Sequence, residues 1–340
     1  MVYTLITGGA GYIGSHICFE LYKINKNIIV IDNFSTSKES VKETISRVCP
    51  NIEFYSFNIG DKILLTNVFS KYNITNVIHL ASYKSISDSI NYPIEYYKNN
   101  ISETISLLEV MKLHKCTNMV FSSSATVYGH QDQVPIKETA VTYNKQTSPY
   151  GKSKLIIEMM LEDLCHEKSN WNIVILRYFN PVAADNSGVI GEDPREQPSN
   201  LFPHILNVYQ GKTNKLTIFG NDYRTIDGTC IRDFIHVSDL AEAHISAIDF
   251  IKNKSKVYEI FNIGTGEWNT VLQIVNKFNE LSGNKIPYIF GDRRIGDIDF
   301  CFANCSKAND LLKWKATKKL DDMVRDSINR VNYLNSINNS

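Results

Sequence analysis

The first half of the chain alternates short runs of β-branched and aliphatic residues with stretches whose apolar positions recur at helical spacing. Runs at 2–7 (VYTLIT), 28–32 (IIVID), 52–57 (IEFYSF), 76–81 (NVIHLA), 118–123 (NMVFSS) and 173–179 (IVILRYF) read as strands. Between them, 13–25, 62–72, 93–114 and 149–168 read as helices. This is the rhythm of successive βαβ units, which predicts an α/β fold: a Rossmann-type doubly wound parallel sheet with helices on both faces. After Asn180 and Pro181 the period is lost, and 181–200 mixes Gly, Pro and charged residues as a loop that covers a site would. A helix at 201–211, a strand entering a helix at 231–251 and a strand at 257–263 follow. The expected organisation is a first domain over 1–180 with a return segment at about 231–263, and a smaller, discontinuous α/β substrate-binding domain over 181–340. The Asn/Ser-rich end from 332 is expected to fray.

Composition narrows the chemistry. With 340 residues, 43% of them apolar, the chain is long enough for a sizeable core. Its 36 basic and 36 acidic residues balance, so no overall field draws it to nucleic acid or to an anionic membrane. The seven cysteines are scattered, odd in number and lack paired CxxC spacing, so no metal site and no disulfide scaffold is expected. No apolar run approaches the roughly 20 residues of a membrane span, and the first strand begins at once, so the expected location is cytoplasmic.

The first strand ends in Thr7-Gly8-Gly9-Ala10-Gly11-Tyr12-Ile13-Gly14 and leads into a helix. Gly8 suits a tight turn, Gly11 lets backbone approach a pyrophosphate, and Gly14 allows close helix packing while the helix N-terminus faces the anion. The next strand ends in Asp32, at the spacing of the acid that bonds an adenosine ribose, and a carboxylate there favours NAD over NADP. Ser148-Pro149 can cap and open the helix that carries Tyr150 and Lys154 one turn apart. A phenol beside an ammonium and a positive helix end is expected to have its pKa drawn down toward neutrality, as a general base needs. Ser122, Ser123 and Ser124 end the preceding strand at the carboxyl edge of the sheet, where Ser124 can share a proton with Tyr150.

With these residues in place, the chain resembles the extended short-chain dehydrogenase/reductase superfamily and, within it, the UDP-glucose 4-epimerase family. The likeness runs nearly end to end through 7–16, 31–35, 95–100, 121–129, 177–181, 218–223, 231–237 and 293–297. It implies an isomerase of galactose metabolism with a tightly held NAD. Hydride leaves C4 of the hexose while Tyr150 takes the hydroxyl proton, and a 4-keto intermediate turns over before reduction on its other face. The resemblance places Asp32, Asn33 and Ser35 at the adenosine and Asn58 and Ile59 at the adenine. It adds Lys84 at the pyrophosphate and Gly8, Gly11, Tyr12, Ile13, Leu80, Ala81, Asn99, Ser122, Tyr150, Lys154 and Tyr178 as further cofactor contacts. For the UDP-sugar it implies Lys84, Ser124, Tyr150, Asn180, Asn200, Leu201, Phe219, Arg232, Arg294, Asp297 and Cys301, with the two arginines suited to phosphate.

Four departures stand out. Asn58 replaces the family's usual aspartate, its amide oxygen remaining an acceptor; the loop around Lys84 reads Ala-Ser-Tyr-Lys-Ser-Ile; Phe234 replaces a tyrosine; and Cys301 falls where members confined to glucose and galactose often carry tyrosine. The smaller Cys301 side chain implies room for an acetamido group, and so for UDP-GlcNAc and UDP-GalNAc. The alternatives are another nucleotide-sugar epimerase, dehydratase or decarboxylase of the superfamily, or a non-catalytic NAD-sensing protein. A dehydratase needs an acidic pair where this chain has Ala125 and Thr126, and a sensor has no use for the Tyr-Lys pair. The resemblance further implies a homodimer paired through helices near 93–114 and 149–168.

Overall fold

The computed structural model describes residues 1–166, 170–193, 195, 200–294 and 296–338. Seven strands form the central sheet: β1 (Tyr3–Thr7), β2 (Asn27–Asp32), β3 (Glu53–Ser56), β4 (Ile74–His79), β5 (Asn118–Ser124), β6 (Asn172–Tyr178) and β7 (Val257–Ile263). Their order is β7-β6-β5-β4-β1-β2-β3 and every pair is parallel. Successive residues point to opposite faces, so Leu5, Ile29, Val77, Met119 and Ile173 join one apolar cluster while Ile6, Val30, Ile78, Val120 and Val174 join the other. Burial on both faces is why these strands read as near-continuous apolar runs.

α1 (Tyr12–Lys23), α2 (Ser40–Val48) and a helix at Val237–Ile251 cover one face. α3 (Lys62–Lys71), α4 (Glu103–Leu113) and α5 (Pro149–His166) cover the other. The chain steps outward from β1 to β3, then crosses back to place β4 on the other side of β1. Crossovers leave in opposite directions at that point, and a crevice opens at the carboxyl ends of the strands.

A second core gathers Phe202, Ile205, Leu216, Ile218, Phe234, Ile274, Phe278, Met323 and Val324. It is built on α6 (Leu201–Tyr209), α8 (Val271–Ser282) and α9 (Leu320–Asn338), with α7 being the helix at Val237–Ile251. Ile231–Arg232 pairs with Asn269–Thr270 and Phe300–Cys301 in a small sheet, so the chain rejoins the first core only after Arg232. Ala308, Leu312 and Trp314 pack into that first core as well, a second return that no sequence period announced.

Three local outcomes differ from the sequence reading. The stretch 93–114 is broken by a π-helical turn at Lys98–Ser102, between Pro93–Tyr97 and α4. The extra residue turns Asn99 and Asn100 toward the Tyr83 N–H, which they accept at 3.1 and 2.8 Å. The end of the chain is helical through Asn338 rather than frayed from 332. Val331 is buried, Arg330 donates to the Gly188 and Val189 carbonyls at 2.9 and 2.8 Å, and Tyr333 accepts from Arg47 at 2.9 Å, so packing outweighs polar composition. The helix expected to 168 is seen to His166; residues 167–168, together with 194 and 196–199 of the expected covering loop, lie outside the described residues. No helix among the described residues is long and apolar enough to cross a membrane.

Candidate active site

One cavity of about 550 Å³ follows the crevice from the β1–α1 turn to the second core. Its first end is built by glycines. Gly8 has φ +71°, and a Cβ there would stand 2.7 Å from the Ala81 amide nitrogen. A Cβ on Gly14 would stand 2.4 Å from the Gly8 carbonyl, so α1 can pack against the turn only without one. Gly11 precedes α1 with no side-chain cap, leaving the helix N-terminus open to the cavity beside Tyr12 and Ile13. Uncapped N–H groups at a positive helix end suit a pyrophosphate.

Asp32, at the end of β2, accepts from the Ala10 and Phe34 amides at 2.9 and 2.8 Å. Burial raises its pKa while those bonds pull it down. Each carboxylate oxygen keeps a second acceptor site, so Asp32 both shapes the turn and can bond a ribose. Arg195 approaches the same loop from far along the sequence, donating to the Phe34 carbonyl at 2.9 Å, but it does not line this cavity. The donor set at this end fits a dinucleotide with an unphosphorylated ribose.

At the centre, Ser148 Oγ accepts from the Gly151 N–H at 3.2 Å and opens α5, as expected of its position. Tyr150 and Ser124 line the same stretch of the cavity, near enough for the serine hydroxyl to influence the phenol. Lys154 is 2% exposed and donates to the Ser122 carbonyl at 2.8 Å and Ser82 Oγ at 2.9 Å, with its Nζ 6.0 Å from the Tyr150 ring centre. Burial pushes the phenol up to about 12, the nearby Ser124 hydroxyl pulling the other way, and lowers the Lys154 ammonium to about 7 against the pull of Glu158. The expected downward shift of Tyr150 is therefore overturned in the protein alone. The phenol is buried, and the ammonium is turned to Ser82 and Ser122 rather than bonded to the phenol oxygen. Tyr178, near Ser122, bonds His244 Nε2 at 2.5 Å.

The far end is lined by Asn180, Asn200, Leu201, Phe219, Arg232, Arg294, Asp297 and Cys301. Arg232 is held by an ion pair to Asp297 and by bonds to the Ile231 and Ile298 carbonyls at 2.7 and 2.8 Å. The Arg294 guanidinium stacks on the Phe219 ring at 4.2 Å, a rigid platform for an anionic ligand. Cys301 sits beside Arg232 through strand pairing, its thiol pushed up to about 11 by burial.

The remaining expected residues Asn33, Ser35, Ile59, Leu80, Ala81, Lys84, Asn99, Ser122, Ser124 and Tyr178 also line the cavity. Lys84 is ion-paired to Glu192 at 3.1 Å, so a pyrophosphate there competes with a carboxylate. Asn58 is the exception: it is not on the cavity wall, because its amide oxygen accepts from Gly60 at 2.7 Å and its nitrogen donates to Glu103 at 2.9 Å. Ser82, Glu103, His204 and Glu192 line the cavity without having been singled out. Only Glu103 carried a signal, standing one helical turn after Asn99.

The profile of the NAD dependent epimerase/dehydratase family matches residues 4–264. The chain is 46% identical over 329 residues to the UDP-glucose 4-epimerase of Homo sapiens, an alignment spanning 95% of this chain and 94% of that one. It is similar to a solved UDP-glucose-4-epimerase from Stenotrophomonas maltophila with bound NAD and formylated UDP-arabinopyranose, at TM-score 0.95 and 40% identity over 99% of this chain and 100% of that one. A UDP-glucose 4-epimerase from Bifidobacterium longum in complex with NAD+ and UDP superposes at TM-score 0.93 and 42% identity, covering 97% and 98% of the two chains. The chain therefore belongs to the NAD dependent epimerase/dehydratase family, and within it to the UDP-glucose 4-epimerases.

Proposed function

We propose that the protein interconverts UDP-glucose and UDP-galactose by transient oxidation at C4 of the hexose, using NAD. The observation that carries this reading is the grouping of Ser124, Tyr150 and a buried Lys154 on the wall of one cavity that joins a glycine-built helix N-terminus to an arginine-bearing end. Gly8, Gly11, Asp32, Ser122, Lys154 and Tyr178 would hold the dinucleotide, which when bound supplies a hydride acceptor and a positive charge at its nicotinamide. Tyr150 and Ser124 take the proton from the C4 hydroxyl and return it to the same oxygen after the 4-keto sugar has turned over. Electrostatic attraction to positive charge beside the phenol offsets the burial that otherwise keeps it protonated. Arg232, Arg294 and Asn200 anchor the diphosphate while the hexose rotates. A dehydratase is disfavoured because Ala125 and Thr126, which follow Ser124 on the cavity wall, carry no carboxylate.

Incubating the purified protein with UDP-galactose, without added NAD, and identifying the product tests the reading: UDP-glucose is expected, and no conversion with or without NAD would refute it. A parallel incubation with UDP-GalNAc tests the wider specificity that the Cys301 side of the cavity supports. We also infer a homodimer, since Ile94, Leu113, Ile156 and Met159 expose apolar surface on Pro93–Tyr97, α4 and α5. A cytoplasmic location suits seven cysteines that are all unpaired.

A further inference from the structure

Glu103 lines the cavity, as do Phe57 and Ile59, and its side chain reaches Asn58 between them. Those two residues follow β3, whose Ser56 pairs with Asp32 of β2, so Glu103 belongs to the end of the cavity that Asp32 marks. Its carboxylate is held from both sides: Oε1 accepts from Asn58 Nδ2 at 2.9 Å and Oε2 from Asn99 Nδ2 at 3.1 Å. The Asn58 amide is in turn oriented by the Gly60 N–H on its oxygen. The π-helical turn that ends just before Glu103 brings Asn99 into this arrangement. Two neutral amides thus fix a half-buried carboxylate against the segment that carries Phe57 and Ile59, two apolar residues of the same cavity wall. Its raised pKa, with burial as the leading cause, agrees with a carboxylate kept from bulk water.

An ionised carboxylate only accepts hydrogen bonds, and each of these oxygens has one amide donor and a further acceptor site. A flat heterocycle lying against Phe57 and Ile59 would be welcomed here if its edge carried an amino group. It would be repelled if the edge carried an oxo group, because lone pairs would then face lone pairs. We propose that Glu103 accepts the exocyclic amino group of the cofactor's adenine and so selects a 6-amino over a 6-oxo purine. The carboxylate absent at position 58 is supplied by position 103, and Asn58 becomes a positioning residue that aims it. This assignment rests on the NAD reading above.

The test uses cofactor-depleted full-length protein, titrated calorimetrically with NAD and with nicotinamide hypoxanthine dinucleotide. The wild-type protein is expected to bind NAD at least about 10-fold more tightly, the scale of one hydrogen bond to a charged group. In Glu103→Gln, whose amide can donate to a 6-oxo group, the preference is expected to shrink to within about 3-fold. Glu103→Ala is expected to lose it in the same way, so the result does not hang on the folding of one variant. Comparing two ligands on each protein cancels any general loss of binding. Equal affinities in the wild type, or a preference retained in both variants, would overturn the assignment while leaving NAD binding intact. A wild-type protein that binds neither dinucleotide would overturn the NAD reading itself.

Discussion

Replacing Lys154 with methionine separates what the buried charge does for chemistry from what it does to stability. Lys154 is 2% exposed, and burial lowers its ammonium from 10.5 to about 7. Below pH 7 the group is charged in both folded and unfolded chains, and the folded state bears the full penalty. Between 7 and 10.5 the unfolded chain binds a proton that the folded chain does not, so wild-type stability rises with pH; above 10.5 the penalty is gone. At about 1.4 kcal/mol per tenfold, the penalty at pH 6 is on the order of 4–5 kcal/mol. Methionine fills similar space without charge, but Ser122 O and Ser82 Oγ lose their donor, a loss of about 1 kcal/mol or more each. The cofactor-depleted Lys154→Met protein is therefore expected to be about 2 kcal/mol more stable at pH 6, roughly 3 °C in Tm, with the advantage gone by about pH 10. Turnover is expected to fall by at least about 100-fold. Scanning calorimetry at pH 6, 8 and 10, with UDP-galactose turnover in parallel, checks both. A variant less stable than wild type at pH 6, or a difference independent of pH, would refute the reasoning.

Tyr150→Phe is expected to keep cofactor affinity within a few-fold yet lose about 10²–10⁴ in turnover, and near-normal activity would contradict its role as proton acceptor. Cys301→Tyr is expected to lose conversion of UDP-GalNAc while retaining that of UDP-galactose; an unchanged ratio of the two rates would exclude the pocket argument. Glu158 is paired to buried Arg177 at 2.6 Å, with both side chains under 5% exposed, so Glu158→Ala leaves an uncompensated guanidinium and is expected to cost about 3–5 kcal/mol in urea unfolding. Gly14→Ala puts a methyl 2.4 Å from the Gly8 carbonyl, and calorimetry is expected to show weakened cofactor binding because α1 must move away from the turn.

Much of this protein was legible in its sequence. Strands buried on both faces write themselves as apolar runs, so β1, β2, β4, β5 and β6 and the parallel sheet followed from pattern alone. The glycine turn and the Tyr150/Lys154 spacing were also legible, because each is set within one turn or one helix, and the ends of β2 and β5 marked Asp32 and Ser124 as cavity residues. The π-helical turn, the helical chain end and the second return through Trp314 were not, since each depends on contacts with residues far away in sequence. The direction of the Tyr150 and Lys154 shifts was decided only by the fold: two residues one helical turn apart look like a coupled pair, but burial by distant elements is the leading cause of both shifts. In the same way, Asn58 and Glu103 lie 45 positions apart, and only the packing of α4 beside the segment after β3 shows that one aims the other.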